Sequence, residues 1–101
     1  MQLLVRYRVK PDQVAENTEL VRGVYEELHR TQPAGLRYAT FQLDDGVSFV
    51  HLVSVETDDG QNPLPNLRAF QQFQEGIGDR CDEQPAVTEL QEIGSYRLAG
   101  S

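Results

Sequence analysis

Residues 2 to 9 alternate in character. Leu3, Val5, Tyr7 and Val9 share one parity, and Leu4, Arg6 and Arg8 share the other. That period of two predicts a half-buried strand. Lys10-Pro11-Asp12 ends it, and proline suits the first turn of a helix. From Pro11 to about Arg30 the period lengthens: Val14, Val21, Val24, Tyr25 and Leu28 recur at helical spacings, with Asp12, Glu16, Glu19, Glu26 and Glu27 off that stripe. Gln32-Pro33-Ala34-Gly35 breaks the helix, and residues 36 to 43, LRYATFQL, read as a second strand. Asp44-Asp45-Gly46 then signals a hairpin into a third strand, SFVHLVSVE, residues 48 to 56. After the polar loop TDDGQNPL, residues 57 to 64, a second helix carries Leu67, Phe70, Phe73 and Ile77 on one face, and Gly76 and Gly78 end or weaken it. Beyond Pro85, VTELQEIGSYRL predicts a last strand, with a bulge near Gly94 where the alternation slips.

This order, β-α-β-β-α-β, is the ferredoxin-like split βαβ unit of the α+β class, spanning residues 1 to 101 as one domain. Right-handed crossovers put both helices on one face of a four-stranded antiparallel sheet. The third strand is apolar on both parities: Phe49, Val53 and Val55 on one, Val50 and Leu52 on the other. Its second apolar face requires a cover, and the simplest is a second copy of the chain, sheet against sheet.

The hairpin register fixes what lies around His51, and the turn allows two readings. A two-residue loop pairs position 40 with 51, so that Tyr38, Thr40 and Gln42 share a face with Phe49 and His51. A three-residue loop pairs 39 with 51 and brings Ala39, Phe41 and Leu43 to that face instead. The second gathers the strongest apolar residues under the helices and is the one expected. It leaves Tyr38, Thr40, Gln42, Ser48, Val50, Leu52 and Ser54 for the partner copy. His51 then points between sheet and helices, either as a core histidine satisfied by a hydrogen bond or as a pocket residue that titrates against a ligand.

Composition narrows the function classes. The net charge is -7, with 16 acidic residues against 9 basic ones, which disfavours a phosphate backbone or an anionic membrane surface. The first strand is too short and too charged for a leader or a spanning helix, so a cytoplasmic location is the expectation. A single cysteine, Cys81, excludes an internal disulfide and a multi-cysteine metal site. His29 and His51 are the only histidines, and neither has carboxylates at ligand spacing, so no metal is expected. No Gly-x-Ser-x-Gly elbow and no glycine-rich phosphate loop is present, and Gly76-Ile77-Gly78 lacks a third glycine and a preceding strand.

The pieces together resemble the dimeric α+β barrel superfamily, in particular the antibiotic-biosynthesis-monooxygenase-like (ABM-like) domains. The matching residues are Val9-Lys10-Pro11 before a long helix, Gly35-Leu36-Arg37-Tyr38 opening the second strand, Phe49-Val50-His51-Leu52, and Leu67-Arg68-Ala69-Phe70-Gln71-Gln72-Phe73. The resemblance implies a homodimer whose two sheets form a barrel, with a pocket between sheet and helices in each subunit. It also implies a cofactor-independent monooxygenase, or a binder, for a small aromatic or polyketide-like molecule. A non-catalytic dimeric module is the alternative. The absence of any tryptophan, and of the expected Asn and His, departs from the haem-degrading relatives. No cofactor is expected. His51 is the candidate catalytic residue, with Tyr7 and Tyr38 beside it as groups that orient or deprotonate a substrate. Tyr7, Phe41, Phe49, Phe70 and Phe73 are the candidate pocket wall.

Overall fold

The computed structural model describes residues 1–97. Strand β1 (Gln2–Val9) leads through a short 3-10 turn at Pro11–Gln13 into helix α1 (Val14–Thr31). Strands β2 (Leu36–Gln42) and β3 (Ser48–Val55) follow as a hairpin. A 3-10 turn at Leu64–Asn66, helices α2 (Arg68–Gln74) and α3 (Ile77–Arg80), and strand β4 (Cys81–Leu90) complete the fold. The four strands form one antiparallel sheet in the order β2-β3-β1-β4. This is the ferredoxin-like α+β arrangement.

Helices and sheet meet over a core of Tyr7, Val9, Val21, Val24, Phe49, Val53, Val55, Leu64, Leu67, Phe73 and Cys81. Val21 and Val24 supply the apolar stripe of α1, and Tyr25 and Leu28 flank it half-buried. The two helix layers are also tied by a charge-assisted cap. The Glu27 carboxylate, on α1, accepts the backbone N–H groups of Arg68 at 3.2 Å and Ala69 at 2.8 Å. Those amides open α2 and have no partner within it.

Three expectations need correction. The hairpin takes the register of the two-residue reading, with Thr40 opposite His51 and Phe41 opposite Val50. Its loop is longer than either reading: Leu43 and Ser48 still bond, and Asp44 to Val47 form the turn. The Asp45 carboxylate organises it, accepting from the amides of Val47 and Ser48 and from the Ser48 hydroxyl, while Gly46 takes φ of 78°. Phe41 therefore lies on the open face, 53% exposed, and Tyr38 and Thr40 lie under the helices.

The second helix ends at the first of its two glycines, as its sequence suggests. Gly76, at φ of 76°, separates α2 from the single turn of α3. The last strand begins at Cys81, ahead of Pro85, and ends at Leu90 rather than running on past Gly94; Leu98, where that expectation ended, lies outside the described residues. The bulge falls where register shifts between Arg6 and Arg8, opposite the stretch holding Pro85. Proline lacks the N–H a ladder needs, and an edge-strand bulge tolerates it.

Gly35 anchors the entry to β2. It takes φ of 76°, and a Cβ there would sit 2.7 Å from the Glu56 carbonyl oxygen. Gly46 has the same backbone twist but open space around it. Gly35→Ala is expected to lower stability by about 2–3 kcal/mol and Gly46→Ala by about 1 kcal/mol, read from urea midpoints. Equal losses at the two positions would contradict the close approach at Gly35.

Candidate functional site

His51 lies in the middle of β3 on the helix-covered face, 3% exposed. Its direct neighbours across the sheet are Val5 on β1 and Thr40 on β2. The residues that grip its ring are the diagonal ones. Tyr7, opposite Phe49, reaches Nε2 at 2.7 Å, and Tyr38, opposite Val53, reaches Nδ1 at 2.5 Å. Diagonal partners lie within reach of long aromatic side chains on the pleated surface. The Thr40 hydroxyl stands 3.2 Å from Nδ1. Both ring nitrogens are thus occupied.

The network continues in both directions. On one side the Asn17 amide donates to the Tyr7 hydroxyl at 3.1 Å, and Arg80 Nε donates to Asn17 Oδ1 at 3.4 Å. Asn17 is fully buried and Arg80 is 5% exposed. The guanidinium also donates to the carbonyls of Phe73 at 2.6 Å and Glu75 at 3.0 Å and lies over the Phe73 ring. Those carbonyls end α2 and would otherwise lack partners, so the buried cation closes the helix broken at Gly76. On the other side Thr40 bonds the Tyr25 hydroxyl at 2.8 Å, and the rings of Tyr25 and Tyr38 stack at 5.3 Å. Among the described residues no buried side-chain nitrogen or oxygen lacks a partner.

Burial sets the protonation states. His51 has no carboxylate among its contacts to hold a charge, and desolvation lowers its pKa from 6.5 to about 4. The ring is neutral at pH 7. Desolvation raises the phenol pKa values of Tyr7 and Tyr38 far above normal, and that of Tyr25 as well, so all three keep their hydrogens.

Two concavities are described. One of about 300 Å³ is lined by Tyr25, Leu28, His29, Gln32, Pro33, Leu36 and Tyr38, between the end of α1 and the start of β2. Tyr25 and Tyr38 make it the outer end of the His51 network. The other, of about 410 Å³, lies among the polar loop residues from Glu56 to Asn66 and touches no member of that network. Among the described residues no group of three His, Cys, Asp or Glu side chains is placed to hold a metal ion. No helix there is long and apolar enough to cross a membrane.

No family model matches this chain, and no curated protein matches it. Solved structures do. A crystal structure of an antibiotic biosynthesis monooxygenase matches with a TM-score of 0.75 at 16% identity, over 92% of this chain and 98% of that one. A protein from Nitrosomonas europaea, provisionally named for the same activity, matches with a TM-score of 0.74 at 18% identity, over 91% and 88%. A conserved protein from Methanosarcina mazei Go1 matches with a TM-score of 0.70 at 16% identity, over 86% of each chain. The chain shares its fold with these structures. Identities this low establish the ABM-like fold and leave the chemistry to the residues.

Of the residues singled out in the sequence, this ABM-like fold brings Tyr7, Tyr38, Phe49 and Phe73 against or close around His51. The Phe49 ring stacks on Tyr7 at 5.6 Å and the Phe73 ring lies 5.4 Å from His51. Phe70 is half-buried beside Phe73, one ring further out. Phe41 is on the opposite face. Asn17, Thr40 and Arg80 belong to the network and were not anticipated. Asn17 carries a signal, a polar residue on the same helical stripe as Val14, Val21 and Val24; Arg80, beyond a helix break, carries none.

The neutral histidine gives stability a pH dependence with a defined sign. Its folded pKa is depressed, so between about pH 6.5 and 4 the unfolded chain binds the proton and the folded chain does not. Stability is fully present above that window and falls as pH drops through it. Unfolding free energy measured with urea is expected to fall by about 2 kcal/mol between pH 7 and pH 5 from this residue. No loss over that interval would contradict a buried neutral His51.

Proposed function

We propose that the chain works as a homodimer, formed through the open face of its sheet, and binds a small aromatic molecule between sheet and helices. Leu4, Val50 and Leu52 are half-buried and Phe41 is largely exposed on that face. An apolar strip of this kind on a small domain calls for a partner, and a second copy offers the matching surface. The exposed Phe41 thus serves the dimer in this reading rather than the pocket.

The single observation that carries the ligand reading is the outer end of the His51 network. Tyr25 and Tyr38 open onto a cavity of about 300 Å³, enough for one or two aromatic rings. Leu28, Pro33 and Leu36 supply its apolar wall and Gln32 and His29 its polar rim. Phe49, Phe70 and Phe73 form the packed support behind the network, of which Tyr7 is itself a member.

The depressed basicity of His51 favours recognition over proton abstraction. The second reading is cofactor-independent oxygenation of a bound ring, with His51 as the catalytic residue. It is favoured by the name borne by a solved structure of the same fold and by the continuous path from the cavity to His51 through Tyr38.

Native mass spectrometry is expected to show a species near twice the 11.4 kDa chain. Val50→Asp combined with Leu52→Asp should convert it to a folded monomer; a wild-type monomer would sink the dimer. Amide NMR titration with small aromatics should move resonances around Tyr25, His29 and Tyr38. Perturbations confined to other surfaces would overturn the cavity as the binding site.

A further inference from the structure

The hydrogen-bond network has a direction, and a cation sets it. A guanidinium donates and never accepts, so the Asn17 atom facing Arg80 Nε must be its oxygen. The Asn17 amide nitrogen therefore faces Tyr7 and donates to its hydroxyl oxygen. Tyr7 is 1% exposed, and among the described residues the acceptor in reach of its own hydrogen is His51 Nε2, at 2.7 Å. A neutral imidazole that accepts at Nε2 carries its hydrogen on Nδ1. That hydrogen points at Tyr38.

We infer that Arg80, acting through Asn17 and Tyr7, is a positioning residue that holds His51 with its hydrogen on Nδ1, so that the Tyr25–Tyr38 wall offers the cavity a hydrogen-bond donor. The count of hydrogens gives the second step. Nδ1 and the hydroxyls of Tyr38, Thr40 and Tyr25 hold one hydrogen each. Four contacts join these groups, Nδ1 with Tyr38 and with Thr40, and Thr40 with Tyr25 and with Tyr38; a protonated Nδ1 cannot accept, so its one hydrogen serves both of its contacts and the three hydroxyl hydrogens serve the other two. At least one hydrogen remains for a ligand.

The ligand class follows, resting on the reading of this cavity as the binding site. The molecule presents an acceptor oxygen to the tyrosines. An anion is disfavoured, because the cavity lies at the C-terminal end of α1, where the helix dipole is negative, and the chain carries a net charge of -7. A neutral aromatic carbonyl compound meets both conditions and suits the apolar wall.

The tautomer is measured directly, without any ligand, from long-range ¹H–¹⁵N correlations of the His51 ring in the full chain at pH 7. The expected pattern is a protonated Nδ1 and a bare Nε2. Asn17→Asp then provides the switch. Its carboxylate accepts from both Arg80 and the Tyr7 hydroxyl, which turns the Tyr7 hydrogen away from His51 and should bring a hydrogen onto Nε2.

A wild-type ring protonated on Nε2 alone overturns the inference, as does a folded Asn17→Asp variant with an unchanged ring. The wild-type spectrum decides the matter even if the variant fails to fold. Acetophenone, a neutral aromatic ketone, should shift the Tyr25 and Tyr38 resonances and bind Tyr38→Phe about two- to tenfold more weakly. With the Nδ1 form in place, absence of acetophenone binding would overturn the ligand class and the cavity reading but not the role of Arg80.

Discussion

A histidine at the centre of the middle strand, on the face the helices cover, needs two hydrogen-bond partners in a place water does not reach. Leaving either ring nitrogen unpaired there would cost about 1–3 kcal/mol, and leaving a charge there would cost more. Two tyrosines from the flanking strands meet that demand. Each creates a further one. The buried Tyr7 hydroxyl is matched by Asn17 from α1, and Asn17 by Arg80. Arg80 can reach inward because the helix breaks at Gly76, and its charge is absorbed by the carbonyls that the break exposes. Strand pairing, the polar residue on α1 and the interrupted helix answer one requirement set by His51.

The same connections give the interior its chemical character. The network holds a buried cation, an amide and the Tyr7 phenol on one side of a neutral imidazole, and the Tyr38 and Tyr25 phenols with the Thr40 hydroxyl on the other. It is well suited to orient a hydrogen bond and poorly suited to carry away a proton, since burial weakens the base and the phenol acids alike. A ligand arriving beside Tyr25 and Tyr38 would meet an ordered donor rather than a reactive base. A shared fold assigns no chemistry by itself, and it is these residues that argue for recognition.

Much of the fold was legible in the sequence because its signals are periodic. Leu3, Val5, Tyr7 and Val9 alternate as a strand should, and the α1 stripe has helical spacing. The apolar character of β3 on both parities marks its position inside the sheet. The hairpin register is not legible in this way, because loop length and register are coupled and hydrophobicity favours the wrong pairing of the two. The Asp45 carboxylate, a local polar contact, decides instead. The wrong pairing puts Phe41 in the pocket and Tyr38 outside it. The end of the chain is hidden for a related reason: Pro85 looks like a strand breaker, yet a bulged edge strand accommodates it. For the site, His51 and the two tyrosines stand out as residue types, and Asn17 is visible as a polar interruption of an apolar stripe. Arg80 is not visible, since its place depends on where a broken helix turns.

The central claim, a fully paired and uncharged His51 at the heart of the fold, is tested most directly by following its ring resonances in the folded protein as pH is lowered. The ring should keep its neutral-form shifts through pH 6.5 and begin to change only near pH 4, or where the protein unfolds. A titration centred near pH 6.5 in folded protein would show the ring open to water, and would contradict the account.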